Sequence, residues 1–386
     1  MTPAFVLVIG ATFAVFGSWG MFIFAMPLYA RDALSASDVG VGLAMGAGSI
    51  GAILAGAPSG RVADRRGRRI VVFAGTVGML VGYLALALEP PLSVVVPLRV
   101  VVGAAEAAFL VGTFTMAVDL APEERRGEAM SLVTVGGYTG LALGPLFANL
   151  LLGDDRFALV WIVAAACVAL AAAQGALVHE TRSHDEGEAP AGWLPPRAAL
   201  VPGVVLLFAL IGFGGFNAFV VLYARDLGVS HPGLVFVVFG AVVVAIRTVG
   251  RRLPDRLGAR LAASIACAAV AAGLVTTALW ASEVGLYVGT ALFAAGQALA
   301  YPALVLLALA RAKPAERSAA VATAAVFVDI ALATGAFLLG VVAEVFDYRA
   351  VFAAGAVSAV LGLLLLLRVR TEPRAATPVR VGGEAT

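Results

Sequence analysis

Charged residues are scarce in this chain. They make up 13% of its 386 residues, lysine occurs once, at Lys313, and the formal net charge is only +2. A soluble domain carries roughly 25% charged residues, so a chain this poor in charge cannot cover its surface for contact with water. Hydrophobic residues make up 61% of the chain, which indicates a protein whose solvent is lipid. The small net charge, with no basic face, argues against a nucleic-acid partner.

Cysteine and histidine, which supply most metal ligands and many nucleophilic or acid–base groups, are nearly absent. Cys167 and Cys267 each lie within an apolar run, which excludes a disulfide framework and any metal-ligand spacing. The three histidines fall between apolar runs or at their ends, at 179, 184 and 231, and none forms a hydrolase pattern with a nearby Ser or Cys. The sequence has no glycine-rich phosphate loop followed by Lys and Ser or Thr, which argues against ATP as an energy source. We therefore expect no cofactor, no metal site and no enzymatic activity.

Long apolar runs are abundant instead. A membrane-spanning helix needs about 20 mainly apolar residues, because every backbone group must be hydrogen-bonded inside lipid. Twelve runs meet this requirement, at approximately 4–30, 38–59, 70–88, 92–118, 129–152, 157–178, 200–224, 233–250, 261–281, 284–309, 318–343 and 350–368. We predict an all-α integral membrane protein of twelve transmembrane helices in two six-helix bundles. The bundles occupy 1–178 and 200–370, with a linker over 179–199 and a tail over 371–386.

Basic residues are divided unequally between the two sets of loops. Twenty of the 26 Lys and Arg residues follow even-numbered runs or lie in the tail, four follow odd-numbered runs, and Arg99 and Arg247 lie within runs. Cytoplasmic loops of membrane proteins carry the excess of Lys and Arg. We therefore predict a multi-pass protein of the cell membrane with both termini and the central linker in the cytoplasm.

Three short motifs occur twice, in the same order and half a chain apart. They are "LYARD" at 28–32 and 222–226, "DRRGRR" at 64–69 with "DRLGAR" at 255–260, and "PEER" at 122–125 with "PAER" at 314–317. A duplicated half with six spans inserts both copies in the same orientation, as a parallel repeat. Transporters built from such repeats bind their substrate between the halves near the membrane midplane.

Several motifs resemble those of the major facilitator superfamily. The stretch "GRVADRRGRR" at 60–69 is similar to the signature between helices 2 and 3 of that family, and its second copy is degenerate at Arg251 and Ala259. Arg99 and Gly103 resemble the signature of the fourth helix. The stretch "GLALGP" at 140–145 resembles the Gly-x-x-x-Gly-Pro core of the antiporter signature in the fifth helix, although Ser131 and Ala148-Asn149 depart from its remainder.

The resemblance implies a conformational latch between helices at the cytoplasmic side. Its residues in this chain are Gly60, Asp64, Arg65, Gly67, Arg68 and, at the end of the fourth run, Asp119. A charge pair that forms in one state and breaks in another can bias a two-state equilibrium. The alternative is that the arginines serve only to orient the chain, although orientation requires neither the Asp nor the Gly.

Charged residues within the apolar runs are candidates for proton coupling, because charge at this depth is costly and usually faces a cavity. Arg99 and Glu106 are seven residues apart, ~10.5 Å along one helix face, and either neutralise each other or leave Glu106 to carry a proton. Burial favours the neutral carboxyl, whereas the nearby Arg opposes this. Asp329 has no basic residue near it in its own run. It is either a proton or cation site, or a permanently protonated acid bonded to a neighbouring helix.

Polar and aromatic residues within several runs are candidates for a substrate pocket. They are Trp19, Phe22, Met26, Tyr138, Phe213, Phe216, Asn217, Gln297 and Tyr301. In the fifth run, Gly140, Gly144 and Pro145 are either a specialised bend or simply a site of close helix packing.

Among the members of the superfamily, the chain is most similar to the drug:proton antiporters with twelve spans. The resemblance implies proton-coupled export of a small amphipathic organic molecule by alternating access, and the alternative is a proton-coupled importer of a small nutrient. A membrane enzyme or a sensor is disfavoured, because the chain lacks a catalytic constellation and a soluble output domain. The expected partners are the substrate, protons and membrane lipid. We expect a monomer, since twelve spans enclose their own pathway.

Overall fold

The computed structural model describes residues 2–153, 155–181, 196–249, 257–313 and 316–368, and its regular elements are all helical. The twelve α-helices are α1 Pro3–Leu28, α2 Asp38–Arg66, α3 Arg68–Leu86, α4 Leu92–Asp119, α5 Arg126–Leu152, α6 Phe157–Leu177, α7 Arg197–Asp226, α8 Leu234–Val249, α9 Ala259–Leu279, α10 Glu283–Arg311, α11 Arg317–Val345 and α12 Tyr348–Arg368. One π-helical turn, Tyr29–Ala33, continues α1. The predicted all-α fold is confirmed.

Eleven of the described helices are long and apolar enough to cross a membrane. The remaining one, α8, is equally apolar but is described over only 16 residues, because residues 250–256 lie outside the described ranges. Only the first two residues of the predicted DRLGAR copy, at 255–256, fall in that gap. The predicted linker lies outside the described residues from 182 to 195, and the predicted tail lies outside them entirely. Helix α7 begins at Arg197, which is inside the predicted linker.

The basic stretch at 60–69 is not the loop that its charge indicated. Helix α2 continues through Arg66, and Gly67 alone separates it from α3. The arginines of the last turn are compatible with helix because cations stabilise the carboxyl end of the macrodipole. Gly67 has φ +108°, which a residue with a side chain adopts only under strain. Gly258, which precedes α9 in the second half, has φ +79°.

Glycines allow the helices within the N-terminal half to pack with their backbones in contact. A Cβ atom on Gly103 of α4 would overlap the carbonyl of Gly48 on α2, and a Cβ atom on Gly51 would overlap the carbonyl of Val100. Close approach through small residues is the usual way in which membrane helices associate, because lipid provides no hydrophobic drive between them. Gly103 therefore has a packing function as well as its place in the fourth-helix motif.

The two halves meet along α2 and α11, and this contact differs between the two ends of the bundle. We call the end that carries residues 60–69 the basic end and the other the opposite end. Toward the opposite end, Gly42 and Gly46 of α2 lie against the backbone of Ala336 and Ala333 on α11. Toward the basic end, no other helix among the described residues comes within 4 Å of the position that a Cβ on Gly56 would occupy. The halves are therefore in contact toward the opposite end and α2 is open toward the basic end.

Candidate functional site

Helix α4 places an arginine and an acid in the interior of the N-terminal half. Arg99 Nη1 lies 3.4 Å from Glu106 Oε1, so the two predicted residues do form a pair. The Arg99 guanidinium also lies over the ring of Phe22, with 3.7 Å between its Cζ atom and the ring centroid. The absence of a side chain at Gly48 leaves room for Nη2. Arg99 is buried, at 2% exposure, whereas Glu106 is only partly buried.

Helix α11 of the other half contributes Asp329. It lies twelve residues after Arg317 at the basic end of this helix, which corresponds to ~18 Å of helix rise. The Asp329 carboxyl is within electrostatic range of Glu106 and has no ion-pair partner among the described residues. Each half therefore contributes one acid to the interior of the bundle, and the two acids influence each other electrostatically.

An aromatic cleft lies between the halves, and Tyr301 is within electrostatic range both of its residue Tyr138 and of Asp329. Tyr138, Phe213 and Asn217 line it, as predicted pocket residues, together with Ile23 of α1 and Phe239 of α8. The Phe213 and Phe239 rings stack at 5.6 Å between centroids. The free volume is ≈ 20 Å³, about enough for one water molecule. In this conformation the cleft is therefore the closed part of the path between the halves.

Arg247 of α8 is a member of this region to which the sequence analysis assigned no role. Its Nη2 lies 3.3 Å from the Tyr138 hydroxyl oxygen, and its Cζ lies 4.6 Å from the centroid of the Tyr138 ring. Its Nε is buried without a hydrogen-bond partner, and it has no ion-pair partner in the described part of the chain. Tyr301 is within electrostatic range of Arg247, Tyr138 and Asp329. The position of Arg247 inside an apolar run is the feature of the sequence that could have identified it as a candidate.

The other predicted pocket residues do not line the cleft, although the Phe216 ring packs against Phe239, which does. Trp19 packs edge-on against Phe16 with 5.5 Å between centroids, and Phe22 supports Arg99. Met26 and Phe216 are buried in the packing, at 0% and 1% exposure. Gln297 Nε2 donates a hydrogen bond to the carbonyl of Ala209 at 3.3 Å, which ties α10 to α7.

The predicted latch residues Arg68 and Asp119 are in contact. Arg68 Nε lies 3.2 Å from Asp119 Oδ2, which joins the start of α3 to the end of α4. Gly67 forms the turn described above, and a Cβ atom there would collide with the carboxyl of Glu180. Asp64 and Arg65 are exposed on the last turns of α2, and a Cβ on Gly60 would meet open space.

Glu180 and Thr181, which follow α6, complete this cluster, and neither was predicted from the sequence. Glu180 accepts hydrogen bonds from the backbone N–H groups of Arg68 at 2.9 Å and Arg69 at 3.1 Å. The Thr181 hydroxyl donates to Asp119 Oδ2 at 2.9 Å. The start of α3 is thus capped by the end of α6. Only the polar character of "ETR" after a long apolar run pointed to these residues.

Polar contacts join the two halves at the opposite end. Arg225 Nη1, at the end of α7, lies 2.5 Å from Asp32 Oδ2 in the π-helical turn after α1. These two residues belong to the two copies of LYARD, so the repeated motif pairs with itself. Arg31 donates to Asp38 and to the hydroxyl of Tyr348 at the start of α12. This end of the path is therefore closed by an ion pair and hydrogen bonds between the halves.

The predicted fifth-helix segment packs against α1. A Cβ atom on Gly140 would overlap the carbonyl of Phe13, and one on Gly144 would overlap that of Gly17. Pro145 lies within the helix, and its Cδ lies 2.8 Å from the position of a Cβ on Gly20. Close packing accounts for both glycines in this conformation.

The fold and the site together define a membrane transporter of small molecules rather than an enzyme. The helices form two halves, which meet at a charged and aromatic region inside the membrane. The path between the halves is closed at one end. The model of the Major Facilitator Superfamily matches residues 8–281 and 203–385. The chain belongs to this family.

Related proteins and structures agree with this assignment. An uncharacterized MFS-type transporter of Salmonella typhimurium is 27% identical over 364 residues, which is 90% of this chain and 92% of that protein. Another from Burkholderia pseudomallei is 27% identical over 375 residues, covering 94% and 91%. The nucleoside transporter NupG has a TM-score of 0.78 at 14% identity, over 95% of this chain and 98% of its own. The human organic anion transporter MFSD10 has a TM-score of 0.70 at 17% identity, covering 95% and 100%.

Proposed function

We propose that this transporter couples the entry of protons to the export of a small amphipathic organic molecule, by alternating access between its halves. The observation that carries the proposal is the placement of Glu106 and Asp329, from opposite halves, within electrostatic range of each other. Acids at this depth are costly and mark proton or ion pathways. The aromatic cleft between the halves offers apolar contacts for the substrate. The motif resemblance favours the drug:proton antiporter group.

The surroundings of the two acids favour Asp329 as the proton carrier. Glu106 has a counter-ion, Arg99, at 3.4 Å, which stabilises its charged form. Asp329 has no such partner among the described residues, so protonation of its carboxylate costs less free energy than protonation of Glu106. In the proposed cycle, Asp329 takes up a proton while it is accessible from outside and releases it to the cytoplasm. Arg99 stabilises the charged form of Glu106, so Glu106 keeps its charge throughout this cycle.

The latch residues control the exchange between the two access states. The Arg68–Asp119 pair and the hydrogen bonds of Glu180 fasten α3, α4 and the start of the linker into one unit at the basic end. Asp64, with Gly60 and Arg65, lies exposed on α2 beside this unit and engages it in the other state. The Gly140–Pro145 segment of α5, packed against α1, bends during the same exchange.

The distribution of basic residues supports a cell-membrane location with the basic end in the cytoplasm. In that orientation, the polar contacts of the opposite end close the outer side, and the conformation faces inward. The protein acts as a monomer, because the path lies between its own two halves.

The second candidate is a proton-coupled importer, and Arg247 is the observation that favours it. A guanidinium without an ion-pair partner in the described part of the chain is suited to a carboxylate or phosphate, whose geometry matches its donors. Protonation of Asp329 would remove a negative charge from the surroundings of Tyr301 and Arg247 and so lower the repulsion of an incoming anion, so that proton and anion travel together. Import of an organic acid is therefore the form that this alternative takes.

Transport by inside-out vesicles with an imposed pH gradient separates the two candidates. Compounds are first selected by a susceptibility panel in a host without its own efflux pumps, with and without this gene. With an acidic vesicle interior, an exporter accumulates its compound, whereas an importer depletes vesicles that were preloaded with it. Vesicles with Asp329→Asn at equal protein level are the control and should show neither flux. Gradient-independent flux in the wild type would overturn proton coupling.

A further inference from the structure

A groove between α3 and α6 at the basic end has no assigned role. It has a volume of ≈ 370 Å³, and its walls include Arg66 and Arg69 on one side and Gly175 and Ala176 of α6 on the other. The groove lies outside the path between the halves, because both helices belong to the N-terminal half. From its composition we infer that it binds the phosphate headgroup of one anionic phospholipid, with an acyl chain along the adjoining face of α3.

The charge of the groove is complementary to a phosphodiester. Arg66 and Arg69 are both exposed and line the groove, and guanidinium groups match phosphate oxygens in pairs of parallel hydrogen bonds. Glu180 also lines the groove, but its oxygens accept the backbone N–H groups of Arg68 and Arg69. That carboxylate is therefore directed at the positive end of the α3 dipole, and the two arginines outweigh its single negative charge, so the lining stays net positive.

The apolar side of the groove indicates that the ligand is a lipid. Ile70 and Phe73 line it next to the arginines and are 45% and 56% exposed. Further along the same helix, Val77 and Val81 are 38% and 59% exposed, so the face continues toward the membrane centre. A soluble anion would use the arginines but leave this face uncovered. Basic pockets between membrane helices at the cytoplasmic surface are suited to anionic headgroups.

The floor of the groove is shaped for such a ligand by small residues. Gly175 lies against Val72, with 3.1 Å between the position of its Cβ and Val72 Cγ1, so α3 and α6 are close at the base. Arg69 Nη2 donates to the carbonyl of Ala176 at 2.7 Å, which holds this guanidinium over the gap between the two helices. A headgroup bound here would contact the end of α2, the start of α3 and the end of α6 at once.

Native mass spectrometry of the full chain, titrated with phosphatidylglycerol or phosphatidylcholine, tests this inference. We expect one phosphatidylglycerol to bind in preference to phosphatidylcholine, and Arg66→Gln with Arg69→Gln to weaken its binding roughly thirtyfold, since each arginine near an anionic headgroup contributes about fivefold. Arg66→Gln alone should weaken it about fivefold. Arg61→Gln, in the same stretch but outside the groove, is the matched control and should retain the binding of the wild type.

Three results would overturn the inference. The first is equal binding of the two lipids, and the second is retention of the preference in the double variant. The third is displacement of phosphatidylglycerol by millimolar glycerol phosphate, which would assign the arginines to a soluble phosphate. Binding is measured without a substrate or a proton gradient, so none of these results depends on the proposed transport function.

Discussion

Asp329 is the residue on which the proposed coupling depends most. Asn at this position stays neutral and keeps hydrogen-bonding capacity, so it resembles the protonated acid at every pH. We expect Asp329→Asn to abolish transport driven by a pH gradient while substrate binding survives and loses its pH dependence. Binding measured across a pH series on both sides of neutrality, together with gradient-driven flux in vesicles, checks this prediction.

Glu106→Gln is the matched variant in the other half. If the counter-ion Arg99 keeps Glu106 charged, this variant should retain pH-dependent binding, although Arg99 loses its partner. The reverse pattern would assign the proton to Glu106. Unchanged gradient-driven transport in both variants would refute the proposed coupling. A cationic ligand is compared with a neutral one, because a cation needs the carboxylate itself.

We predict different effects for substitutions of Asp119 and Asp64, although both residues belong to the predicted latch. Arg68 is 3% exposed, so removing the charge of its partner in Asp119→Asn should lower the free energy of unfolding by about 1–3 kcal/mol. Asp64 is exposed with no partner among the described residues, so Asp64→Asn should leave the melting temperature unchanged and reduce turnover. Thermal unfolding of the purified variants and their transport rates measure both effects. Turnover of Asp64→Asn at the wild-type rate would exclude its part in the latch.

The elements differ in how far the sequence predicts them. Apolar runs predict the helices because lipid leaves the backbone no alternative, and most boundaries agree within about one helical turn. The exception is α2, where charge in the last turns was interpreted as loop but extends the helix to Arg66. The contact of Arg68 with Asp119 was predicted from the motif resemblance. The cap that Glu180 supplies to α3 depends on the spatial approach of α6, which no local pattern encodes.

Two glycines, Gly103 on α4 and Gly56 on α2, test how closely these helices must pack. Gly103→Ala on α4 places a methyl group against the backbone of Gly48, and overpacking of this kind costs typically about 1–3 kcal/mol. Gly56→Ala on α2 enters open space, so it should be neutral or slightly stabilising, because Ala is the better helix former. Thermal unfolding in detergent should separate the two variants. Equal melting temperatures would show that α2 and α4 can move apart at little cost.

At the scale of the whole molecule, the two copies of LYARD connect the halves. Arg225 and Asp32 are 48% and 27% exposed and lie 2.5 Å apart, and an exposed ion pair contributes about 0.2–1 kcal/mol. Such a pair has little effect on unfolding. It shifts an equilibrium between two access states instead, because it exists only while the opposite end is closed.

Asp32→Asn should therefore raise the population of the state that is open at this end by up to about fivefold, since about 1.4 kcal/mol corresponds to a tenfold change. The measurement is the rate at which a membrane-impermeant thiol reagent, added from the opposite end, modifies Asn217→Cys in the cleft, in a background without Cys167 and Cys267. The double variant Asp32→Arg with Arg225→Asp restores the attraction with its polarity reversed and should return the rate toward that of the parent. A rate unaffected by Asp32→Asn would assign closure to the remaining polar contacts between the halves, in which the Tyr348 hydroxyl is hydrogen-bonded to Arg31 and Asp38 and the Val39 N–H donates to Glu344. A raised rate that the double variant fails to lower would indicate that Asp32 acts through a partner other than Arg225.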